Sequence, residues 1–209
     1  MTPSQEPRRK DAVHNHAAIL AAAVSALAED PYASVDAIAR TAGLSRRTLY
    51  GHFDDRDALI RELIANGAQR FNRIAEEVHD PDARVALARL AALLWREAAH
   101  VQVAAALALD EAHVEGTAEA LAPLRRRVAA LVRQGQDDGQ FREDIAAPTL
   151  ARLIEEVART VVARTDAASP GAADLAVRTL LSVAGLSWRA ADALLAEHPD
   201  LLTSPEESA

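Results

Sequence analysis

The sequence contains no cysteine, which removes disulfides, thiolate metal sites and cysteine nucleophiles together. No stretch approaches the ~18 uninterrupted apolar residues of a membrane-spanning helix. The N-terminal MTPSQEPRRKDA is polar where a secretion signal needs an apolar core. These absences predict a cytoplasmic protein with no membrane partner. Aromatic residues make up only 3% of the chain, which argues against a pocket that grips flat cations by stacking. A glycine-rich phosphate loop, an H-E-x-x-H pair and a G-x-S-x-G elbow are all missing, so common signatures of enzyme chemistry are not found. No segment alternates with period two for long, so the expected fold class is all-α.

What the chain has in quantity is alanine, within a composition that is 50% hydrophobic over 209 residues. Alanine favours helix and lets helices approach closely, but fills little volume. A bundle built from it needs close packing or an internal cavity. The net charge of −8 is spread unevenly: residues 1–61 hold eight basic and eight acidic groups, and the whole acidic excess lies beyond them. Such a chain lacks the broad basic surface that coats nucleic acid indiscriminately. A small local footprint remains open to it.

That footprint is SVDAIARTAGLSRRTLYGHFDDRDAL, residues 34–59. Val35, Ile38, Ala39 and Ala42 fall on one apolar helix face. Ser34 stands at the N-cap position and Gly43 where a helix end wants a left-handed residue. Leu44 can plug the turn into the core. Ser45 then caps a second helix carrying Arg46, Arg47, Thr48, Tyr50 and His52, with Leu49 and Phe53 turned inward. This is the layout of a helix-turn-helix, whose second helix enters the DNA major groove. Arginine can fork onto guanine, while threonine, tyrosine and histidine can donate to phosphate oxygens.

In chain order, residues 1–10 are expected to form a flexible basic tail ending in Arg8-Arg9-Lys10. A helix-turn-helix domain follows over 11–54, then a bundle over 55–202 and a loose tail over 203–209. The first helix runs from about Asp11 to Ala28 with Val13, Ala17, Leu20, Ala21, Val24 and Leu27 as its stripe, and His14, Asn15 and His16 near its start. The acidic run Asp54-Asp55-Arg56-Asp57 suits a helix start, and that helix continues to about Val78. Asp80-Pro81 opens the next, with a break expected near Ala98–Val101. Gly116-Thr117 opens another, ended by Gly139. Further helices are expected over 148–165, 170–184 (ended by Gly185) and 188–196, the last capped by Ser187.

The run DAVHNHAAILAAAVSALAED followed by ASVDAIARTAGLSRRTLYGHFDDRDALI, residues 11–60 with a short gap, resembles the tetracycline-repressor (TetR) family of bacterial transcription regulators. The resemblance rests on an IL-x-AA first helix, IA-x-x-AGLS, TLY-x-HF and the acidic start of the fourth helix. It implies that Tyr50 and His52 hold phosphates, beside Thr48. It further implies that Arg46 and Arg47 reach bases and that Ser34 and Ser45 donate to the backbone. Arg56 stands where the family usually has lysine, which keeps the charge but changes the donor geometry.

The resemblance also implies a homodimer through the last two long helices, a palindromic operator in double-stranded DNA, and a small-molecule effector bound inside the bundle. Leu150, Leu153, Ile154, Val157 and Val161 stripe one of those helices. Leu175, Val177, Leu180, Leu181 and Ala184 nearly surround the other, and a helix apolar on most sides must be covered. Trp95, His100, Gln102, Asp110 and His113 interrupt an otherwise apolar stretch and are the candidate pocket residues. His100, Asp110 and His113 also offer a metal reading, but one i, i+3 pair without a cysteine falls short of a site. We assign no metal and no cofactor. Two other classes stand beside a ligand-released repressor: an all-α enzyme with an incidental helical hairpin, and a ligand-independent protein-binding module.

Overall fold

Residues 6–100, 113–166, 169 and 171–202 are described in the computed structural model; for 6–15 and for His100 this extends to the backbone alone. The described residues form ten α-helices, one short 3-10 turn and no strand, in agreement with the all-α expectation. The chain divides into two compact units, Met1–Gly67 with Val103–Thr117, and Ala68–Gln102 with Ala118–Ala209.

The first unit is built from α1 (Glu6–Glu29), α2 (Val35–Thr41), α3 (Arg46–Tyr50) and the first half of α4 (Arg56–Glu77). Its core joins Ile19, Ala23, Ala26 and Leu27 of α1 to Val35, Ile38 and Ala39 of α2, Leu49, Phe53, Leu59 and Leu63. The unit therefore extends past the boundary expected at residue 54, because Leu59 and Leu63 of α4 are needed to close this core. Helix α1 is already helical at Glu6, within the stretch expected to be a tail. Its stripe also differs from the expected one: Ile19, Ala22, Ala23, Ala26 and Leu27 are buried, whereas Ala17 and Ala21 are exposed. Alanines on every side of α1 leave periodicity little contrast to work with.

The second unit centres on α5 (Ala83–His100), which packs most extensively on α9 (Ala172–Ala184) and also meets α7 (Ala122–Asp137) and α8 (Ala147–Arg164). Val85, Leu87, Leu90 and six alanines of α5 between 83 and 98 are buried, so this helix is covered almost all round. Helix α5 starts three residues beyond Asp80. Asp82 caps it instead, accepting the Arg84 N–H at 2.8 Å, while Asp80 accepts from Asp82. The break expected near Ala98–Val101 falls at the edge of the described residues.

Gly116 lies inside α6 (Val114–Ala120) and does not open a helix. The interruption comes at Leu121, because Pro123 at the head of α7 has no N–H to continue the ladder. The carboxamide of Asn72 on α4 spans the gap, donating to the Ala120 carbonyl at 2.9 Å and accepting from the Leu124 N–H at 3.1 Å. At the C-terminal end, Gly185 adopts φ +113 after α9, and Ser187 caps α10 (Trp188–Glu197) by accepting from Ala190. Both signals act as the sequence predicts. Helix α9 begins two residues later than Pro170, behind Gly171 in the left-handed region.

Candidate DNA-binding site

The geometry of α2, the turn and α3 follows from three residues. Ser34 accepts the Ala37 N–H at 3.2 Å and Ser45 accepts the Thr48 N–H at 3.1 Å, so each helix starts on a serine cap. Between them Gly43 takes φ +66. The Leu44 N–H then reaches back to the Ala39 carbonyl, and the Gly43 N–H to that of Arg40. This is a Schellman ending, and Leu44 packs against the core as such endings favour. The turn direction is thereby fixed by local hydrogen bonds.

Helix α3 spans only five residues, Arg46–Tyr50, shorter than expected. His52 lies just past its end, where its N–H and that of Phe53 both return to the Leu49 carbonyl. Leu49 is fully buried and Phe53 nearly so, which anchors the helix and turns Arg46, Arg47 and Tyr50 outward. The Thr48 hydroxyl lies 2.8 Å from that of Ser45. Arg47 is exposed, with no hydrogen bond or ion pair among the described residues.

Arg46 is held differently. Its Nη1 donates to Asp36 Oδ2 at 2.9 Å, and its Cζ lies 5.3 Å from the Tyr50 ring centroid. Arg56 turns towards its own unit: Nε donates to the Ala33 carbonyl at 3.1 Å and Nη2 to that of Pro31 at 2.7 Å. It fastens the α1–α2 loop to the start of α4. Asp55, just ahead, caps that helix by accepting the Ala58 N–H. The roles of Arg56 and of Asp36 had no signal in linear sequence, since each contact joins different elements.

His16 stacks on Phe53 with centroids 5.1 Å apart, faces the His52 ring at 5.8 Å, and pairs with Glu62. The side chains of His14 and Asn15 lie outside the described residues. Of the candidate pocket residues, Trp95 is buried in the second unit with Ala172 and Ala176, and Val161 and Val162 pack on them. His113 belongs to the first unit, where Nε2 lies 2.9 Å from Asp57 Oδ1 and Nδ1 is buried without a hydrogen-bond partner among the described residues. The side chain of His100, and all of Gln102 and Asp110, lie outside the described residues. Among the described residues no cluster of three or more metal-ligating side chains occurs, and no helix is long and apolar enough to cross a membrane.

Two capped helices meeting at a fixed turn, the second basic and outward, define a helix-turn-helix of the DNA-binding class. Residues 19–63 match the family model of bacterial regulatory proteins, tetR family. This segment therefore belongs to the tetR family, whose members regulate transcription by binding DNA and are not enzymes. No curated protein matches the chain.

Solved structures extend the likeness to the whole fold. The chain is similar to the TetR-family regulator PfmR of Thermus thermophilus, with TM-score 0.68 and 22% identity over 81% of this chain and 98% of that one. It is similar to the fatty acid degradation regulator FadR of Bacillus halodurans, with TM-score 0.69 and 21% identity over 81% and 94%. It is also similar to FadR of Bacillus subtilis in complex with stearoyl-CoA, with TM-score 0.65 and 18% identity over 80% and 97%. At these identities the shared property is the fold.

Proposed function

We propose that this protein is a dimeric, cytoplasmic repressor that grips a palindromic operator and is released from it by a small-molecule effector. The carrying observation is the capped α3, which presents Arg47 to solvent, unpartnered among the described residues, beside an Arg46 paired with Asp36. In this reading the two arginines reach base edges. Ser34, Ser45, Thr48, Tyr50 and His52 contact phosphates, and Arg56 supports them from behind while keeping one edge for the backbone.

Dimerisation is supported by what the monomer leaves uncovered. Leu150 and Ile154 of α8 and Val177, Leu180 and Leu181 of α9 go into the bundle, but Leu153 and Leu175 on the same two helices stay 40% and 50% exposed. A second copy covering them would set two reading heads about one DNA turn apart or somewhat more. The effector is expected to be largely apolar, since alanine, leucine and valine dominate the inward faces of the bundle. The stearoyl-CoA of the Bacillus subtilis relative makes acyl thioesters a first class to try.

Selection of bound duplexes from a random pool tests the reading, and an inverted repeat is the expected product. Arg47→Ala should weaken operator binding and relax base preference at one position by ~1–3 kcal/mol, while Tyr50→Phe should weaken binding to every sequence alike. Titrating the selected operator with and without acyl-CoAs then tests release. A protein that prefers no duplex over random competitor at moderate salt would refute the proposal.

A further inference from the structure

Arg46 and Arg47 are neighbours in sequence with opposite degrees of freedom. Arg47 is unpartnered among the described residues. Arg46 is held on two sides, by the Asp36 carboxylate of α2 at 2.9 Å and by the face of Tyr50 one turn along α3. The other oxygen of that carboxylate, Asp36 Oδ1, is buried with no hydrogen-bond partner among the described residues. A carboxylate oxygen shut away from water and unsatisfied is costly. The ion pair is largely exposed, and exposed pairs return little stability. The pair itself therefore adds little; the helix dipole favours the Asp36 charge in the first turn of α2, but that does not call for Arg46 as its partner.

What the pair does achieve is orientation. A free arginine side chain samples many rotamers and can satisfy its charge on any nearby phosphate. With Nη1 on Asp36 and the guanidinium carbon over the Tyr50 ring at 5.3 Å, the Nε–Nη2 edge is left as a fork without a partner among the described residues. That edge fits the O6 and N7 acceptors of a guanine in the major groove. The negative charge beside it also opposes a phosphate taking the same place.

We propose that Asp36 is a specificity-determining positioning residue, which braces Arg46 so that it reads one guanine per half-site instead of gripping the backbone. The proposal rests on the DNA-reading function above and adds a division of labour: Arg46 discriminates through its brace, and the unbraced Arg47 adapts.

The test compares wild type, Asp36→Ala, Asp36→Asn, Arg46→Ala and the Asp36→Ala/Arg46→Ala double variant. Each is taken through selection from a random duplex pool, then titrated on the wild-type operator and its single-base variants at several salt concentrations. Wild type is expected to demand guanine at one position per half-site. Asp36→Ala should lose about tenfold of that discrimination, the order of one bidentate contact. Its binding to random duplex should rise, with the salt slope steepening by about one as Arg46 moves to a phosphate. Arg46→Ala should erase the same preference, and the double variant should match it.

Retention of every base preference by Asp36→Ala overturns the proposal, as does a loss that adds independently to that of Arg46→Ala. Should Asp36→Ala fail to fold by circular dichroism, Asp36→Asn decides, because it keeps the shape and removes the charge. A wild type that selects a sequence without the guanine overturns the brace and leaves the regulator standing. A wild type that selects nothing overturns both.

Discussion

Replacing Arg56 by lysine separates two roles that a basic residue at this position can play. As a cation near the DNA backbone, lysine serves nearly as well as arginine. As a fastener of the α1–α2 loop it does not, because one ammonium on a flexible stem cannot reproduce the fork that holds the Ala33 and Pro31 carbonyls at 3.1 and 2.7 Å. A hydrogen bond from a charged donor contributes ~1.5–3 kcal/mol when shielded. Here one of the two is part-buried and the other exposed. After discounting the exposed bond for screening, Arg56→Lys should cost ~1–2 kcal/mol. At roughly 2–4 °C per kcal/mol for a chain of this size, the midpoint should fall by ~2–8 °C. Thermal unfolding followed by circular dichroism reads the fastening, and operator titration well below the midpoint reads the charge. Unchanged melting with lost operator binding would show that Arg56 works on DNA and that the loop does not depend on it.

Three further outcomes follow from other parts of the chain. Gly135 of α7 lies under Phe141, and an added Cβ would stand 2.5 Å from Cε2 and 2.7 Å from Cγ of that ring. Gly135→Ala should therefore lower stability by ~1–2 kcal/mol, overpacking outweighing the helix gain. Gly67→Ala in α4, where nothing lies within 4 Å, should raise it by ~0.5–1 kcal/mol in chemical denaturation. The Asp82 carboxyl is held below its ordinary value of 3.8 by the Arg84 side chain, against the opposing effect of burial. A lowered native value means stability that is present above pH 3.8 and lost as pH falls through the native value. Asp82→Asn, still able to cap, should cost under ~1 kcal/mol at neutral pH. That difference should vanish in acid, and a deficit that persists at low pH would contradict the ion-pair origin.

The parts of the fold legible in sequence were those fixed by local chemistry. Ser34, Gly43, Ser45, Gly185 and Ser187 each act through hydrogen bonds within a few residues, and each acts as its position predicts. Where two local signals competed, reading fell short. Asp80-Pro81 resembled a helix start, but Asp82 holds the cap. Gly116 resembled an opening, but the break belongs to Pro123. The stripe on α1 was misplaced because alanine on all sides hides which face meets Ile38 and Leu49. At the candidate site the exposure of Arg47 and Tyr50 followed from the burial of Leu49. The commitments of Arg46 to Asp36 and of Arg56 to the loop needed three dimensions.

Asn72 sets the register of helix α4 in the second unit with a single side chain. Its amide serves the Ala120 carbonyl and the Leu124 N–H together. Sliding α4 by one residue would swing that amide through about 100° and part it from both groups at once. The seam between α6 and α7 thus ties α4 through one side chain that closes both broken backbone positions together.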